Sequence, residues 1–333
     1  MITRSIQLRQ SQDWQTLLGQ AITDPEQLLR ELHLPVSLLP AALQASSGFR
    51  LRVPRGFVAR MHPGDPDDPL LRQILPLGDE LVVAPGYSSD PLGELDAMPV
   101  PGLLHKYRKR VLLTMTGACA VHCRYCFRRH YPYSDANPVR EIQQTLDYLH
   151  GQKDVNEVIL SGGDPLTLSD RRLADLVTEI ETVPQLQRLR IHSRVPVVLP
   201  ERINSELLAW MTATRLQVVL VIHSNHANEI DTRVAAAMQQ LHAAGITLMN
   251  QSVLLRGVND QAAALADLSE KLFAAHVLPY YLHQLDPVQG AAHFSVDDRK
   301  ASALIEEVRA SLPGYLVPQL VREQPGNPSK TLV

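Results

Sequence analysis

The hydrophobic pattern of the chain changes near residue 110. From there on, short runs of apolar and β-branched residues alternate with segments whose apolar residues recur at helical spacing. Strand-then-helix units predict a parallel sheet, and near-continuous apolar strands predict a sheet buried on both faces. The predicted strands cover residues 111–116, 157–162, 188–193, 217–224, 246–252 and 278–284, and the predicted helices cover 138–150, 169–182, 201–214, 229–244, 260–275 and 297–311. Six units are too few for an eightfold barrel, so we predict an α/β fold with a curved, partly open (β/α)6 barrel.

The first hundred residues have a different pattern. Residues 12–45 carry apolar residues at helical spacing, and three stretches rich in Pro, Gly and Asp follow, at 61–69, 84–93 and 98–102. This composition is typical of short helices joined by loops rather than of a regular sheet. We therefore predict a helical and loop-rich N-terminal region over residues 1–100 and a barrel core over residues 101–333.

Unusual polar residues follow each predicted strand. A cysteine-rich loop follows the first strand, and the later strands end in SGGDP, HSR, HSNH, NQS and HQLD. The carboxyl ends of parallel strands meet at one edge of the sheet, where such folds carry their active sites. The sequence therefore predicts an active site at this edge.

Composition and charge exclude several classes of function. Hydrophobic residues make up 45% and charged residues 20% of the chain, as in a globular enzyme. The net charge is -3, so no overall positive field attracts nucleic acid. No apolar run approaches the roughly 18 residues that span a bilayer, and the start MITRSIQLRQSQDW lacks the apolar stretch of a secretory signal. We therefore predict a cytoplasmic protein with no membrane or nucleic-acid partner.

The three cysteines of the chain lie within eight residues, at Cys119, Cys123 and Cys126. In a chain without a secretory signal, such a cluster favours metal binding over disulfides. Three thiolates can hold three irons of a four-iron cluster, which leaves the fourth iron open for chemistry. The alternative is a zinc site completed by a nearby histidine, namely His105, His122 or His130. Structural zinc sites usually combine two separate ligand pairs, and the sequence has no second pair.

The C-x3-C-x2-C spacing, with Tyr125 directly before the last cysteine, resembles the hallmark of radical S-adenosylmethionine (SAM) enzymes. The resemblance implies a [4Fe-4S] cluster whose open iron binds SAM and whose electron cleaves SAM to a 5′-deoxyadenosyl radical. It also implies that Gly162, Gly163 and Asp164 approach the amino group of SAM. Without the resemblance, the glycine pair is weak evidence for a ligand site, and the alternative is an ordinary tight turn between strand and helix.

Longer blocks are similar to those of one family of radical SAM enzymes, the lysine 2,3-aminomutases. The blocks are SGGDPL at 161–166, HSRVPVVLP at 192–200, NQSVLLRGVND at 250–260 and a lysine near the end, Lys330. The match runs from about residue 100 to 332. The resemblance implies a radical SAM barrel and pyridoxal phosphate (PLP) as a further cofactor, bonded covalently by Lys330. Judged alone, a lysine this close to the end is normally solvated, and its surroundings lack the helix of a phosphate-binding loop.

The same resemblance assigns further residues to the two organic cofactors. It implies PLP contacts for Lys106, Tyr107 and Arg110, which on their own also fit a solvated basic stretch. It implies that the SAM and PLP pockets are lined by three residues at strand ends, His223, Gln251 and His283. A histidine at a strand end has a structural role at least as often as a ligand-binding one.

The substrate residues implied by the resemblance carry opposite charges. Arg128 is similar to the arginine that binds the lysine carboxylate, which a planar guanidinium can do with two hydrogen bonds. Asp286 and Glu323 align with the two carboxylates that bind the ε-ammonium group. Glu323 departs from the family pattern, which has aspartate there. The departure preserves the charge but leaves the length of the pocket open.

The resemblance implies that free L-lysine is converted to β-lysine. This chain carries the segments ITDPEQLLRELHL at 22–34, DDPLLRQ at 67–73, VPGLLHKY at 100–107 and CFRRHYPY at 126–133. In these segments and in length it resembles the short bacterial forms of the family, which supply (R)-β-lysine to a ligase that attaches it to elongation factor P (EF-P). EF-P, its β-lysine ligase and a reductant such as flavodoxin or ferredoxin are therefore expected partners. Two alternatives stay open: an aminomutase for another amino acid, and a metal-binding scaffold without catalytic activity.

Overall fold

The computed structural model describes residues 13–133 and 142–333, and these residues form one nine-stranded sheet. The strands lie side by side in chain order. Neighbouring strands are parallel from the second to the eighth, and an antiparallel strand is added at each edge. The strands are β1 (Leu103–Tyr107), β2 (Arg110–Thr114), β3 (Glu157–Ser161), β4 (Arg188–Ser193), β5 (Gln217–His223), β6 (Thr247–Val253), β7 (Leu278–His283), β8 (Gln319–Arg322) and β9 (Thr331–Leu332).

Helices connect the parallel strands and pack against the sheet. Each of the six predicted strands, β2 to β7, is followed by a helix as predicted. The predicted helix over 138–150 is found as Ile142–Gly151, and residues 138–141 of that prediction lie outside the described residues. The helices are α1 (Trp14–Gly19), α2 (Pro25–Glu31), α3 (Leu39–Gly48), α4 (Arg55–Val58), α5 (Ile142–Gly151), α6 (Asp170–Ile180), α7 (Val195–Val198), α8 (Ser205–Ala213), α9 (Thr232–Ala243), α10 (Ala262–Ala274) and α11 (Asp298–Ser311).

A contact between opposite edges of the sheet shows how strongly the sheet curves. Lys106 on β1 donates a hydrogen bond to Glu323, the residue after β8, with 3.0 Å between Nζ and Oε1. In a flat sheet, β1 and β8 would be seven strand spacings apart, or about 34 Å. The described strands β1 and β9 nevertheless form no ladder with each other. The prediction of a curved, partly open (β/α)6 barrel is therefore confirmed.

The spacing of apolar residues explains how the strands and helices of the barrel pack against each other. All five residues of β3 are buried, as expected for a strand covered on both faces. In α6, the buried residues recur three or four positions apart, so one face of the helix packs on the sheet. Ser169 begins this helix by accepting a hydrogen bond from the backbone of Arg172. The buried residues of α6 are Leu173, Leu176, Val177 and Ile180.

The N-terminal region shares its hydrophobic core with the barrel. Trp14, Leu28 and Phe57 belong to the same buried cluster as the strands β2 to β6. The predicted helical stretch over 12–45 is found as three short helices, α1 to α3. A boundary at residue 100 stays a prediction, because the packing is continuous across it. Among the described residues, no helix is long and apolar enough to span a bilayer.

A buried ion pair joins the N-terminal region to two helices of the barrel. The Arg202 side chain is fully buried and bonds to both carboxylate oxygens of Asp170, at 2.8 and 3.1 Å. Trp210 also donates to Asp170, and the ring of Trp14 lies 4.6 Å from the Arg202 guanidinium. The pair therefore connects α6, α8 and α1.

We predict that Asp170→Ala lowers the free energy of unfolding by about 3–5 kcal/mol, because the Arg202 charge would stay buried without its partner. The matched control is Asp175→Ala on the same helix. The Asp175 side chain is 75% exposed and lies 4.0 Å from Arg171, so its loss should change stability by less than about 0.5 kcal/mol. Denaturant unfolding followed by circular dichroism measures both changes. Equal effects of the two variants would contradict the role of the buried pair.

Candidate active site

One cavity of about 540 Å³ opens at the carboxyl edge of the sheet. Its walls come from the cysteine loop, from the ends of β1 to β7 and from the segment that carries Lys330. Every residue predicted from the sequence to be functional lines it. These residues are Lys106, Tyr107, Arg110, Cys119, Cys123, Tyr125, Cys126, Arg128, Gly162, Gly163, Asp164, His223, Gln251, His283, Asp286, Glu323 and Lys330.

The N-terminal region holds the cysteine loop from behind. Arg124, between two of the cysteines, is fully buried and donates two hydrogen bonds to Glu80, at 2.7 and 2.6 Å. Glu80 also accepts a hydrogen bond from Arg129 at 2.7 Å. The backbone N–H of Arg124 donates to the carbonyl of Gln73 at 2.9 Å. Sequence reasoning missed Glu80. It lies 44 residues before its partner Arg124, and a pair so far apart in the chain leaves no local pattern in the sequence.

The buried surroundings of the cysteines disfavour the thiolate form unless a positive charge lies nearby. Burial raises the pKa of Cys119, and burial together with the neighbouring Cys123 raises the pKa of Cys126 to about 11. The Arg194 guanidinium lies 2.7 Å from the Cys123 sulfur and supplies one positive charge. A bound iron–sulfur cluster would supply the positive charge that three thiolates require. The donor set therefore fits such a cluster.

The zinc alternative finds less support in the geometry. Among residues 13–133 and 142–333, no three His, Cys, Asp or Glu side chains converge on one metal-ion position. In a four-iron cluster, each thiolate binds a different iron, so convergence on one point is not needed. The three histidines considered as zinc ligands each have one ring nitrogen bonded elsewhere: His105 to Tyr148, His122 to the carbonyl of Arg50, and His130 to that of Gln289.

Gly162 and Gly163 let the loop after β3 touch the cysteine loop. A Cβ atom on Gly163 would lie 2.4 Å from the carbonyl oxygen of Ala118, far inside van der Waals contact. Gly162 has a φ of +115°, and its Cβ would lie 2.9 Å from the backbone nitrogen of Met115. The N–H of Gly163 donates to the carbonyl of Thr116 at 2.6 Å. Packing between two loops thus requires these glycines, and their contact with SAM stays a prediction.

Asp164 ties the loop after β3 to the end of β4. One of its oxygens accepts from Ser193 at 2.7 Å and the other from the backbone N–H of Arg194 at 2.7 Å. Burial raises the pKa of Asp164 to about 6, although these donors oppose the rise. Since both oxygens already accept hydrogen bonds within the protein, the structure gives Asp164 a positioning role. Its predicted contact with SAM stays a prediction.

A buried polar network lies beside Cys123. The Tyr125 hydroxyl lies 2.9 Å from the His223 ring and 2.6 Å from Arg194. Arg194 is in turn paired with Glu229 at 3.1 Å. Burial lowers the pKa of His223 well below its usual value, so this ring is neutral. Arg194 and Glu229 were not predicted, although the HSR segment at the end of β4 was noted for its polarity.

A carboxylate lies between two lysines in the part of the cavity that contains Lys330. Glu323 accepts from Lys330 at 2.6 Å through one oxygen and from Lys106 at 3.0 Å through the other. Burial opposes ionisation, but the two ammonium groups outweigh it and lower the pKa of Glu323 to about 2. Burial and the nearby Lys330 lower the pKa of His283 to about 3. This part of the cavity is thus strongly charged.

Arg110 and Asp286 are less fully paired than their neighbours. The Arg110 guanidinium lies 4.1 Å above the Tyr107 ring, and within the described parts of the chain no carboxylate forms a salt bridge with it. Arg110 and Lys330 line the same cavity, so Arg110 could bind an anionic group of a ligand there. Burial and the neighbouring Glu323 raise the pKa of Asp286 to about 7.

Arg128 is buried and already has a carboxylate partner. Its Nε and Nη2 donate to the two oxygens of Glu94, at 2.6 and 2.8 Å, and its Nη1 donates to Ser161 at 3.1 Å. Burial by itself would lower the pKa of Arg128, but Glu94 keeps it above the ordinary value. Sequence reasoning missed Glu94, which lies in the loop-rich N-terminal region.

Comparison with known proteins places this geometry in a family. Residues 113–268 match the Radical SAM superfamily. An L-lysine 2,3-aminomutase of Escherichia coli (strain K12) is 52% identical over 96% of this chain and 94% of its own length. Those of Haemophilus influenzae and Clostridium subterminale are 50% and 38% identical, over 98% and 96% of this chain and 96% and 77% of their own. The chain therefore belongs to the radical SAM superfamily and, within it, to the L-lysine 2,3-aminomutase family.

Proposed function

We propose that this protein is an isomerase that moves the α-amino group of L-lysine to the β carbon and so produces β-lysine. The observation that carries the proposal is a single cavity that holds the three cysteines, the terminal Lys330 and charged groups of both signs. Relatives that are 52% and 50% identical are named L-lysine 2,3-aminomutase.

The charges of the cavity suit the two ends of lysine. Arg128 is the candidate for the substrate carboxylate, because a guanidinium can bind a carboxylate through two parallel hydrogen bonds. Asp286 and Glu323 are the candidates for the ε-ammonium group. Glutamate at position 323 keeps the negative charge that aspartate carries elsewhere in the family. These roles are proposals supported by the position of all three side chains on one cavity.

The cofactor sites follow from the same residues. Cys119, Cys123 and Cys126 would hold the [4Fe-4S] cluster, while Lys330 and Arg110 would hold PLP through its aldehyde and its phosphate. When bound, these groups supply a radical from SAM and a conjugated ring that stabilises unpaired electrons. The protein itself positions the reactants and keeps water away from them.

Lys330 must change partner for this chemistry. In the structure its side-chain nitrogen is paired with Glu323, and the same nitrogen is the atom that would hold PLP. With PLP held there, Glu323 would be free to bind a different ammonium group. The ε-ammonium of the substrate has the same charge and the same chemistry. We therefore propose that Lys330 and the substrate use Glu323 in turn.

The direct experiment is anaerobic reconstitution of the cluster, followed by incubation with L-lysine, SAM, PLP and a strong reductant. We expect β-lysine, identified by chromatography and mass spectrometry, only when all components are present. Parallel reactions with other amino acids test an aminomutase of different specificity. If the cluster and PLP are fully loaded and no β-lysine forms, the proposed reaction is wrong.

We propose further that the product is (R)-β-lysine and serves the modification of EF-P, as the resemblance to the short bacterial forms implies. The test adds an EF-P β-lysine ligase and EF-P to the reaction mixture with flavodoxin or ferredoxin as the reductant. A mass increase of EF-P that requires this protein supports the assignment. Modification of EF-P at the same rate in a reaction that contains L-lysine but lacks this protein would contradict it.

We predict that the two kinds of cofactor are lost separately. Lys330→Ala should keep the iron and sulfide content but lose the visible PLP absorbance and the covalent adduct that borohydride forms at Lys330. Cys123→Ala should lose the cluster and keep the PLP absorbance, because the two groups are held at different parts of the cavity. Lys271→Ala, at an exposed lysine of α10, is the control and should keep both. Loss of both cofactors in either test variant would show misfolding rather than distinct roles.

We predict a pH dependence that originates from Asp286. Since its pKa is raised to about 7, the carboxyl group is neutral below that pH and ionised above it. If ionised Asp286 binds the substrate ammonium, kcat/KM for L-lysine should fall by up to about tenfold for each pH unit below the pKa and level off above it. Asp286→Asn should give a low value without this slope. Cluster and PLP contents, measured at each pH, serve as the control. A parent profile that is flat through this range would exclude the role of Asp286.

A further inference from the structure

The hydrogen-bond donors of Arg128 are only partly used. A guanidinium has five N–H donors, of which Nε carries one and each Nη carries two. Glu94 takes the Nε donor and one Nη2 donor, and Ser161 takes one Nη1 donor. Among the described residues, no acceptor takes the other two, one on Nη1 and one on Nη2. A guanidinium binds two carboxylates in this way when each occupies a different edge.

Glu94 is held firmly in its place beside Arg128. Its side chain is 5% exposed, and its backbone N–H donates to the carboxylate of Asp90 at 3.1 Å. The same segment is fixed to the loop after β7, where Ser88 donates its backbone N–H to the carbonyl of Pro287 at 2.9 Å. Pro287 directly follows Asp286, the candidate for the substrate ammonium. The segment that carries Glu94 is thus anchored next to the residue that is the candidate for the substrate ammonium.

We propose that Glu94 is a positioning residue for the substrate carboxylate. By binding the Nε and Nη2 edge of the Arg128 guanidinium, it fixes the plane and direction of the group, so that the neighbouring edge presents the remaining N–H groups of Nη1 and Nη2 to the carboxylate of an α-amino acid. The inference rests on the proposed function, since it needs a substrate with a carboxylate. It goes beyond that function by assigning a role to a residue of the N-terminal region.

The surrounding charges allow two carboxylates near one arginine. The Lys106 ammonium lies 3.5 Å from an oxygen of Glu94 and offsets part of its charge. Without Lys106, Glu94 alone would balance the charge of the Arg128 guanidinium. The attraction between Arg128 and the substrate carboxylate would then be weak. Lys106 also contacts Glu323, so it lies between the groups proposed for the two ends of the substrate.

The test is Glu94→Gln in the holoprotein, with binding of L-lysine and of L-lysine amide measured by calorimetry. The amide lacks the carboxylate but keeps both amino groups. Glutamine keeps one acceptor oxygen but places its NH2 group against the other donor of Arg128, so the paired contact that fixes the guanidinium is lost. We expect L-lysine to bind at least about tenfold more weakly and the amide to change by less than about threefold. Asp96→Asn, an exposed residue of the same segment with the same change in charge, should leave both affinities unchanged.

Each other outcome overturns the positioning role. Equal weakening of both ligands would show that Glu94 supports only the general structure of the site. Tighter binding of L-lysine would show that Glu94 competes with the substrate carboxylate, and unchanged binding would show that Glu94 does not orient Arg128 for it. If the parent protein with full cofactors binds neither ligand, L-lysine itself is not the substrate, and the proposed function fails with this inference.

Discussion

The carboxylate of Glu323 connects the two ends of the sheet. Its oxygens accept hydrogen bonds from Lys106 on β1 and from Lys330 next to β9, two residues that are far apart in the order of the strands. The contact can form only in a strongly curved sheet, and curvature is also what brings the ends of the strands around one cavity. A buried carboxylate is costly without partners, and the two ammonium groups offset that cost. The curvature of the sheet and the charge balance of the site thus both depend on the pairing of Glu323 with these two lysines.

The same rule governs the buried arginines of the site. Three of them are paired with a glutamate, in the pairs Arg124–Glu80, Arg128–Glu94 and Arg194–Glu229. Glu80 and Glu94 belong to the N-terminal region, whereas their partners belong to the cysteine loop of the barrel. Removal of either glutamate would leave a buried positive charge without compensation. The N-terminal region is therefore an electrostatic part of the site as well as part of its packing.

The sequence predicted the barrel well, because β2 to β7 and their helices have apolar patterns of distinct period. It missed β1, β8 and β9, whose segments carry no such pattern; β9 has only two residues. The residues that line the cavity were predictable because strand-end chemistry and family blocks mark them. Glu80 and Glu94 were not, since they pair with arginines 44 and 34 residues away and lie among other loop carboxylates. Long-range charge pairing has no local signature in one sequence.

The length of the side chain at position 323 bears on how the proposed reaction begins. Glutamate reaches one methylene further than aspartate, and here its two oxygens bind two different ammonium groups at 3.0 and 2.6 Å. On the proposed function, Lys330 would hold PLP instead of pairing with Glu323, while Lys106 would keep its contact with Glu323. Glu323 would then keep one fixed cation and offer its second oxygen to the substrate ammonium. Because Lys106 also lies beside Glu94, one lysine would balance the carboxylates at both ends of the substrate, so that cofactor attachment and substrate binding depend on the same set of charges.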